Sequence, residues 1–413
     1  MTNSFQKKRS TVPFLTMFTV LFFWPTYLIP ASDFVAQKSF YFIMPFISIL
    51  VVYVYARRLI IPFESVLFLI FYPLLIHVFL NNLIYADMQK VFVLVKPLFS
   101  VIVFVAAYNC SSYFLLPETQ KQIGRVINSI YTLLLISIFI QYINPSFSFL
   151  RIFNASDIVT PMGHRAPGTF EWVYNTCGVL GLYLIFCLTK LFVYKQKKYM
   201  IPIFFSLIAI FISQSKVGYV ATLFSVGYLG FLLVIFGFRG GQTLIICMLS
   251  LFIASIFLVL ASGIEISHIS RFIDFITGDG KIDGSTLTRL RQANLAWDTG
   301  IENWLYGKPG SYEKVIENAY LDYFYRYALF GLFTIVTFVV LLIFSSFLIL
   351  KQTAKLTRKY STLNSLLFSC HVSIVSMAFY ALAGNPFDGY KIGFFIALIF
   401  GLQAGFGWKK HSH

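Results

Sequence analysis

The sequence predicts an all-α, polytopic membrane protein with about twelve transmembrane helices, forming one integral-membrane domain over residues 1–413. Three observations carry this expectation. Of the 413 residues, 58% are apolar, 48 are Phe and only 12% are charged, a composition far from that of a soluble domain. The apolar residues come in runs near the ~20 that a helix needs to cross a hydrocarbon core about 30 Å thick. One such run, "TLIICMLSLFIASIFLVLA", is apolar on every face, whereas the strands of a membrane barrel alternate polar and apolar residues over about ten positions.

In chain order the runs fall at 14–31, 40–55, 59–80, 91–115, 126–143, 173–193, 200–213, 217–237, 242–262, 320–349, 364–383 and 391–408. The first has a basic flank and lacks a small-residue cleavage site, so it reads as an uncleaved span. Orientation follows from Lys and Arg in the short connections. Alternate connections hold Lys7, Lys8 and Arg9; Arg57 and Arg58; Lys121 and Arg125; Lys190, Lys195, Lys197 and Lys198; Arg239; Lys351, Lys355, Arg358 and Lys359; and Lys409 and Lys410, together 18 of the 32 basic residues. Both termini are therefore expected on the cytoplasmic side. The net charge of +16 is largely this topology signal, and with no basic domain to bind it, nucleic acid is not an expected partner. Cys110, Cys177, Cys187, Cys247 and Cys370 lie in or beside the runs without metal-ligand spacing and are expected as small buried apolar residues.

This topology leaves two long connections on the far side of the membrane, 144–172 and 263–319. No internal repeat, low-complexity tract or separable soluble domain accompanies them, so any chemistry must use these loops and the span ends beside them. Within the second, Leu287, Leu290, Trp297, Ile301, Trp304 and Leu305 fall on one side of a helical wheel. The spacing predicts an amphipathic helix along the surface of the bundle, with both tryptophans at the membrane–water boundary. Arg291 shares a flank with Asp298 and Glu302, whereas Arg289 has Ala293 and Ala296 as helical neighbours and no carboxylate within a turn. Arg289 is therefore expected to be free for a ligand; the alternative is that both arginines snorkel or pair with Asp274, Asp279 or Asp283.

Three further features lie on the same predicted face. Arg165 stands beside a Pro-Gly turn in "MGHRAPGTFEWVYN"; Lys216 opens the eighth run in "SQSKVGYVA"; and Glu317, Asp322 and Arg326 enter the tenth in "IENAYLDYFYRYALFGLF". Ionisable groups at such depth are costly, so each poses a functional question, with structural ion pairing or snorkelling as the alternative. Cations from separate elements suit an anionic lipid headgroup, above all a diphosphate, because Arg grips phosphate oxygens with a planar fork and Lys acts as a point charge. A nearby carboxylate can take a proton from an attacking hydroxyl. Together these meet the needs of glycosyl transfer from a lipid diphosphate. No metal is expected, since the loops lack clustered paired Asp. "GDGKIDG" (278–284) has neither the ligand spacing nor the closing Glu of a calcium loop. No cofactor is called for.

Four segments, "RAPGTFEWVYN" (165–175), "SQSKVGY" (213–219), "TRLRQANLAWDTGIENWLYGKPG" (288–310) and "ENAYLDYFYRYALFGLF" (317–333), resemble in order and spacing the O-antigen polymerase and O-antigen ligase superfamily of bacterial inner-membrane glycosyltransferases. The likeness covers about residues 144–350; beyond it, only hydropathy is similar. It implies the C-type glycosyltransferase architecture, and a metal-independent transfer of undecaprenyl-diphosphate-linked sugars at the periplasmic face. A chain-length-regulating co-polymerase and a flippase would serve the same pathway. The resemblance also implies that Lys216 and Arg289, the latter about eighteen residues before Gly307, hold the diphosphate. Lys at 216 keeps the charge that the family's usual Arg supplies but loses its fork. Ligases of the family carry a His where Glu317 precedes Asn318, a departure that favours polymerase.

The expected reaction joins a growing glycan on undecaprenyl diphosphate to a lipid-linked repeat unit. Arg289, Lys216, Arg165 and Arg291 would lie against the diphosphate, and Glu317 would orient or deprotonate the acceptor. Trp297, Tyr320 and Tyr323, with Trp304, Tyr306 and Tyr312, would form a sugar-stacking wall, a role that interfacial anchoring explains equally well. The rivals are a ligase that passes the glycan to lipid A–core and a transporter or flippase of lipid-linked sugars. A transporter would more often show related halves and broken spans.

Overall fold

The computed structural model describes residues 12–25, 33–56, 59–74, 76, 91–111, 117–145, 149, 152–153, 166–170, 172–213, 215–250, 284–304, 316–355, 357–387 and 390–408. Among them there is no strand. The helices are α1 (Val12–Phe23), α2 (Asp33–Tyr55), α3 (Phe63–Leu74), α4 (Val91–Ser111), α5 (Pro117–Ile143), α6 (Val173–Phe192), α7 (Met200–Ile212), α8 (Lys216–Ile235), α9 (Gly240–Ser250), α10 (Gly284–Glu302), α11 (Ala319–Thr353), α12 (Ser361–Tyr380) and α13 (Tyr390–Trp408). Every apolar run read from the sequence is helical over all or part of its described length. Among the described residues five helices, α5, α6, α8, α11 and α12, are long and apolar enough to cross a membrane, the character of a membrane-embedded helical bundle.

Burial orders the bundle. α6 and α12 are buried along almost their whole length and pack against each other, as expected of helices that are apolar on all sides. α13 is equally enclosed and lies along α4. Small residues allow that approach: Gly393, Ala397, Gly401 and Gly405 recur every fourth position of α13, and a Cβ at 401 or 405 would overlap the Phe104 or Tyr108 carbonyl of α4. Lipid gives no hydrophobic drive to helix pairing, so close contact of this kind supplies it. Outward faces remain apolar, with Phe46, Phe204, Phe333 and Phe344 all exposed. Cys110, Cys177, Cys187 and Cys370 are buried as expected, but Cys247 is exposed, because α9 turns that side away from the bundle.

Polar side chains also tie the helices together. Tyr228 of α8, Ser346 of α11, His371 of α12 and Gln403 of α13 form one buried chain: Tyr228 Oη lies 2.9 Å from His371 Nε2, His371 Nδ1 lies 2.8 Å from Ser346 Oγ, and Ser346 Oγ donates to Gln403 Oε1 at 2.6 Å. One assignment satisfies every link: Tyr228 donates to Nε2, and His371 donates from Nδ1 to Ser346. The histidine is then neutral, with its proton on Nδ1.

α11 departs from the continuous span at 320–349. Ala328 has φ 52° and ψ −145°, a conformation almost confined to glycine, and it breaks the helix into arms at 319–327 and 329–353. The bend is sharp: a Cβ at Gly331 would overlap the Tyr323 carbonyl and the Tyr327 side chain. The apolar stretch of membrane-crossing length is the second arm. The first arm carries the charges Asp322 and Arg326.

Candidate functional site

α10 and the first arm of α11 build the site. α10 turns Gln292, Ala296, Thr299 and Gly300 toward residues 316–325; Ala296 packs with Ile316 and Tyr325, and Gly300 is so close to Phe324 that a Cβ would strike its ring. This seam brings Arg289 against Glu317. Arg289 Nε donates to Glu317 Oε2 at 2.9 Å, with the two side chains 40% and 44% exposed. One turn further along α10, Gln292 Oε1 accepts the Glu317 backbone N–H at 3.3 Å. Arg289 therefore has a carboxylate partner, contrary to the expectation from its own helix; the partner lies 28 residues on, beyond the reach of any helical wheel.

The next residues anchor the arm. Asn318 caps it, its Oδ1 accepting from Leu321 N at 3.1 Å while its Nδ2 donates to the Leu382 carbonyl at 3.0 Å. Ala319 N donates to the Ala381 carbonyl at 2.8 Å, and Tyr320 Oη to that of Ala378 at 3.2 Å. Asp322, only 1% exposed, faces Arg326 Nε at 2.9 Å and accepts from Asn385 Nδ2 at 3.0 Å. Two carboxylates of one segment thus have opposite settings, Glu317 half in solvent and Asp322 enclosed.

The start of α8 lies at the same end of the bundle. Ser215 caps α8 by accepting from Gly218 N at 3.1 Å; Gly218 packs on Cys177 at the start of α6, and Gly384, one residue before Asn385, packs on Tyr174. These contacts join the start of α8, where Lys216 stands, to the Arg289–Glu317 end. The Lys216 side chain lies outside the described residues, as do Arg165, Tyr306, Gly307 and Tyr312, and Asp274, Asp279 and Asp283. The turn after Arg165 is held from three helices: Gln141 Oε1 accepts from Gly168 N at 2.7 Å, Thr176 Oγ1 donates to the Pro167 carbonyl, and the buried Lys391 Nζ donates to the Thr169 carbonyl at 2.7 Å, between the rings of Phe153 and Phe170.

Two further expected residues have their own settings. Arg291 is exposed on α10, two positions and so about 200° around the helix from Arg289. Tyr323 is buried against Phe71 and Tyr327, so it is core and offers no wall to a sugar. Tyr320 is partly buried and Trp297 exposed, with Phe324 5.5 Å away.

Sequence reading missed Gln292, Asn385, Lys391 and the stacked Trp172 and Tyr174, whose rings lie 6.0 Å apart. The last two stood in the quoted "EWVYN", where aromatic spacing next to Arg165 was the available signal. Lys391, a cation opening the last apolar run, offered a similar one. A scan of family models and a search of curated proteins return no match to this chain.

Proposed function

We propose that the chain is a polysaccharide repeat-unit polymerase of the bacterial inner membrane, a C-type glycosyltransferase with about twelve spans, cytoplasmic termini and a periplasmic site at the α10 rim. The observation that carries this reading is the half-exposed Arg289–Glu317 pair, which sets a phosphate-binding cation beside a proton acceptor on facing elements of a membrane-embedded bundle. The donor is a glycan on undecaprenyl diphosphate; the acceptor is a hydroxyl of a second lipid-linked repeat unit.

On donor binding, the diphosphate takes the Arg289 guanidinium from Glu317, since an anion with several oxygens uses the planar fork more fully than the single Nε contact made by the carboxylate. Glu317 is then free to accept the proton. The acceptor oxygen attacks the anomeric carbon, the bond from that carbon to the diphosphate oxygen breaks, and the hydroxyl proton passes to Glu317. Arg289 stabilises the charge of the departing diphosphate, assisted by Lys216 and Arg165 from the neighbouring span end and loop. Tyr320, Trp172 and Tyr174 offer aromatic surface to the sugars.

The test is reconstitution of purified protein with lipid-linked repeat units alone. Wild type yields a ladder of lengths, and Arg289→Ala and Glu317→Gln do not. Transfer that requires lipid A–core makes the protein a ligase; movement of the lipid across vesicles without extension makes it a transporter and ends the proposal.

A further inference from the structure

The outward side of α10 presents an apolar surface that the bundle leaves uncovered. At about 100° per residue, α10 divides into three arcs. Gln292, Ala296, Thr299 and Gly300 face the protein, and Arg289 falls on the same arc, where it meets Glu317. Arg291, Asp298 and Glu302 are exposed on a second arc. Leu287, Leu290, Trp297 and Ile301, with Trp304 just past the helix end, occupy the third, and all five are 36–56% exposed. A helix with a protein side, a charged side and an apolar side has the pattern of one lying where protein, water and lipid meet. A purely water-exposed helix would not need the third.

We propose that this third arc docks on the lipid bilayer, seating Leu287, Leu290, Trp297, Ile301 and Trp304 among the outermost acyl carbons of the adjoining leaflet. Continuity identifies the occupant. The Trp304 carbonyl accepts from Leu329 N at 3.2 Å, so the end of α10 abuts the start of the long arm of α11. Among the described residues, the exposed face of that arm, Leu329, Phe330, Phe333, Val336 and Val340, continues the apolar stripe, and it belongs to a helix of membrane-crossing length. A surface that covers one covers the other. The indole rings suit this boundary, where the ring is apolar and its N–H remains within reach of water and headgroups.

Docking also sets the height of the site. Interfacial helices bury their apolar side about 5–10 Å below the headgroup boundary. Arg289 stands about 110° around the helix from the centre of the stripe, which puts it at the depth of lipid phosphates. The stripe thus selects lipid-borne over freely dissolved anions for the Arg289 side. The inference does not depend on the transferase reading, because it concerns where α10 lies rather than what is transferred.

The experiment is tryptophan quenching of the full chain in phosphatidylcholine vesicles whose acyl chains carry bromine near either the carbonyl or the methyl end. The chain has five Trp, so the signal of interest is the difference between wild type and W297F/W304F. Expected are blue-shifted emission, strong loss with shallow bromines, weaker loss with deep ones and little loss with aqueous iodide. Leu290→Trp in the W297F/W304F background gives an independent probe with the same expected order. Red-shifted emission quenched by iodide and not by bromolipid overturns the proposal, because the stripe then faces water. Resistance to both quenchers overturns it as well, because protein, a second copy included, then covers the stripe.

Discussion

Glu317→Gln and Asp322→Ala separate two carboxylates of the same segment that the structure sets in opposite environments. Glu317 meets Arg289 through a single 2.9 Å contact, with both side chains near 40% exposed; solvent screens such a pair, and its loss costs only about 0.2–1 kcal/mol. Asp322 is enclosed, holds Arg326 at 2.9 Å and accepts from Asn385. Removing it breaks an enclosed ion pair with a mostly buried guanidinium, at about 3–5 kcal/mol, which at about 1.4 kcal/mol per tenfold is two to three and a half powers of ten in the folding equilibrium. Catalysis should rank the two in the reverse order, since loss of a general base slows turnover by about 10²–10⁴. The assay pairs thermal unfolding in lipid nanodiscs with the rate of ladder formation at temperatures where each variant is folded. Glu317→Gln should unfold like wild type and extend almost nothing, whereas Asp322→Ala should unfold early yet retain turnover while folded. If Glu317→Gln is both stable and fully active, the proton-transfer role is refuted; if Asp322→Ala is as stable as Glu317→Gln, the burial argument is refuted.

Three further outcomes follow from the packing. Ala328→Gly should raise the thermal midpoint, because relief of about 1–3 kcal/mol of backbone strain exceeds the roughly 0.5–1 kcal/mol that glycine adds in unfolded-state freedom; Ala328→Val should lower it. Gly401→Leu should separate α13 from α4, since even a Cβ overlaps the Phe104 carbonyl, and increased protease sensitivity of the reconstituted protein would report it. His371→Phe should destabilise by about 0.6–1.7 kcal/mol, the range for hydrogen bonds between membrane helices. Tyr228→Phe added to His371→Phe should then cost less than the sum of the single changes, as a double-mutant cycle in nanodiscs would show.

The helices were legible because their cause is local. A run of apolar side chains as long as a bilayer is thick must hydrogen-bond its own backbone, and the three-, four- and seven-residue spacing of Leu287, Leu290, Trp297, Ile301 and Trp304 declares an amphipathic helix wherever it is placed. Glu317 and Arg289 were legible one at a time, as ionised groups at the ends of apolar segments. Their pairing was not, because helical periodicity describes neighbours within a turn or two, and these residues meet across a seam between α10 and α11. Tyr323 looked like a surface aromatic, but the packing of a distant helix sets it against Phe71, and the bend at Ala328 is announced by no Pro or Gly at that position. By itself, then, the sequence determined that the apolar runs are helical and that the chain is membrane-embedded, since both depend on residues near in the chain. Only the tertiary structure decided which charge answers which and which aromatic rings are core, because those outcomes depend on the distance between segments after the helices have packed.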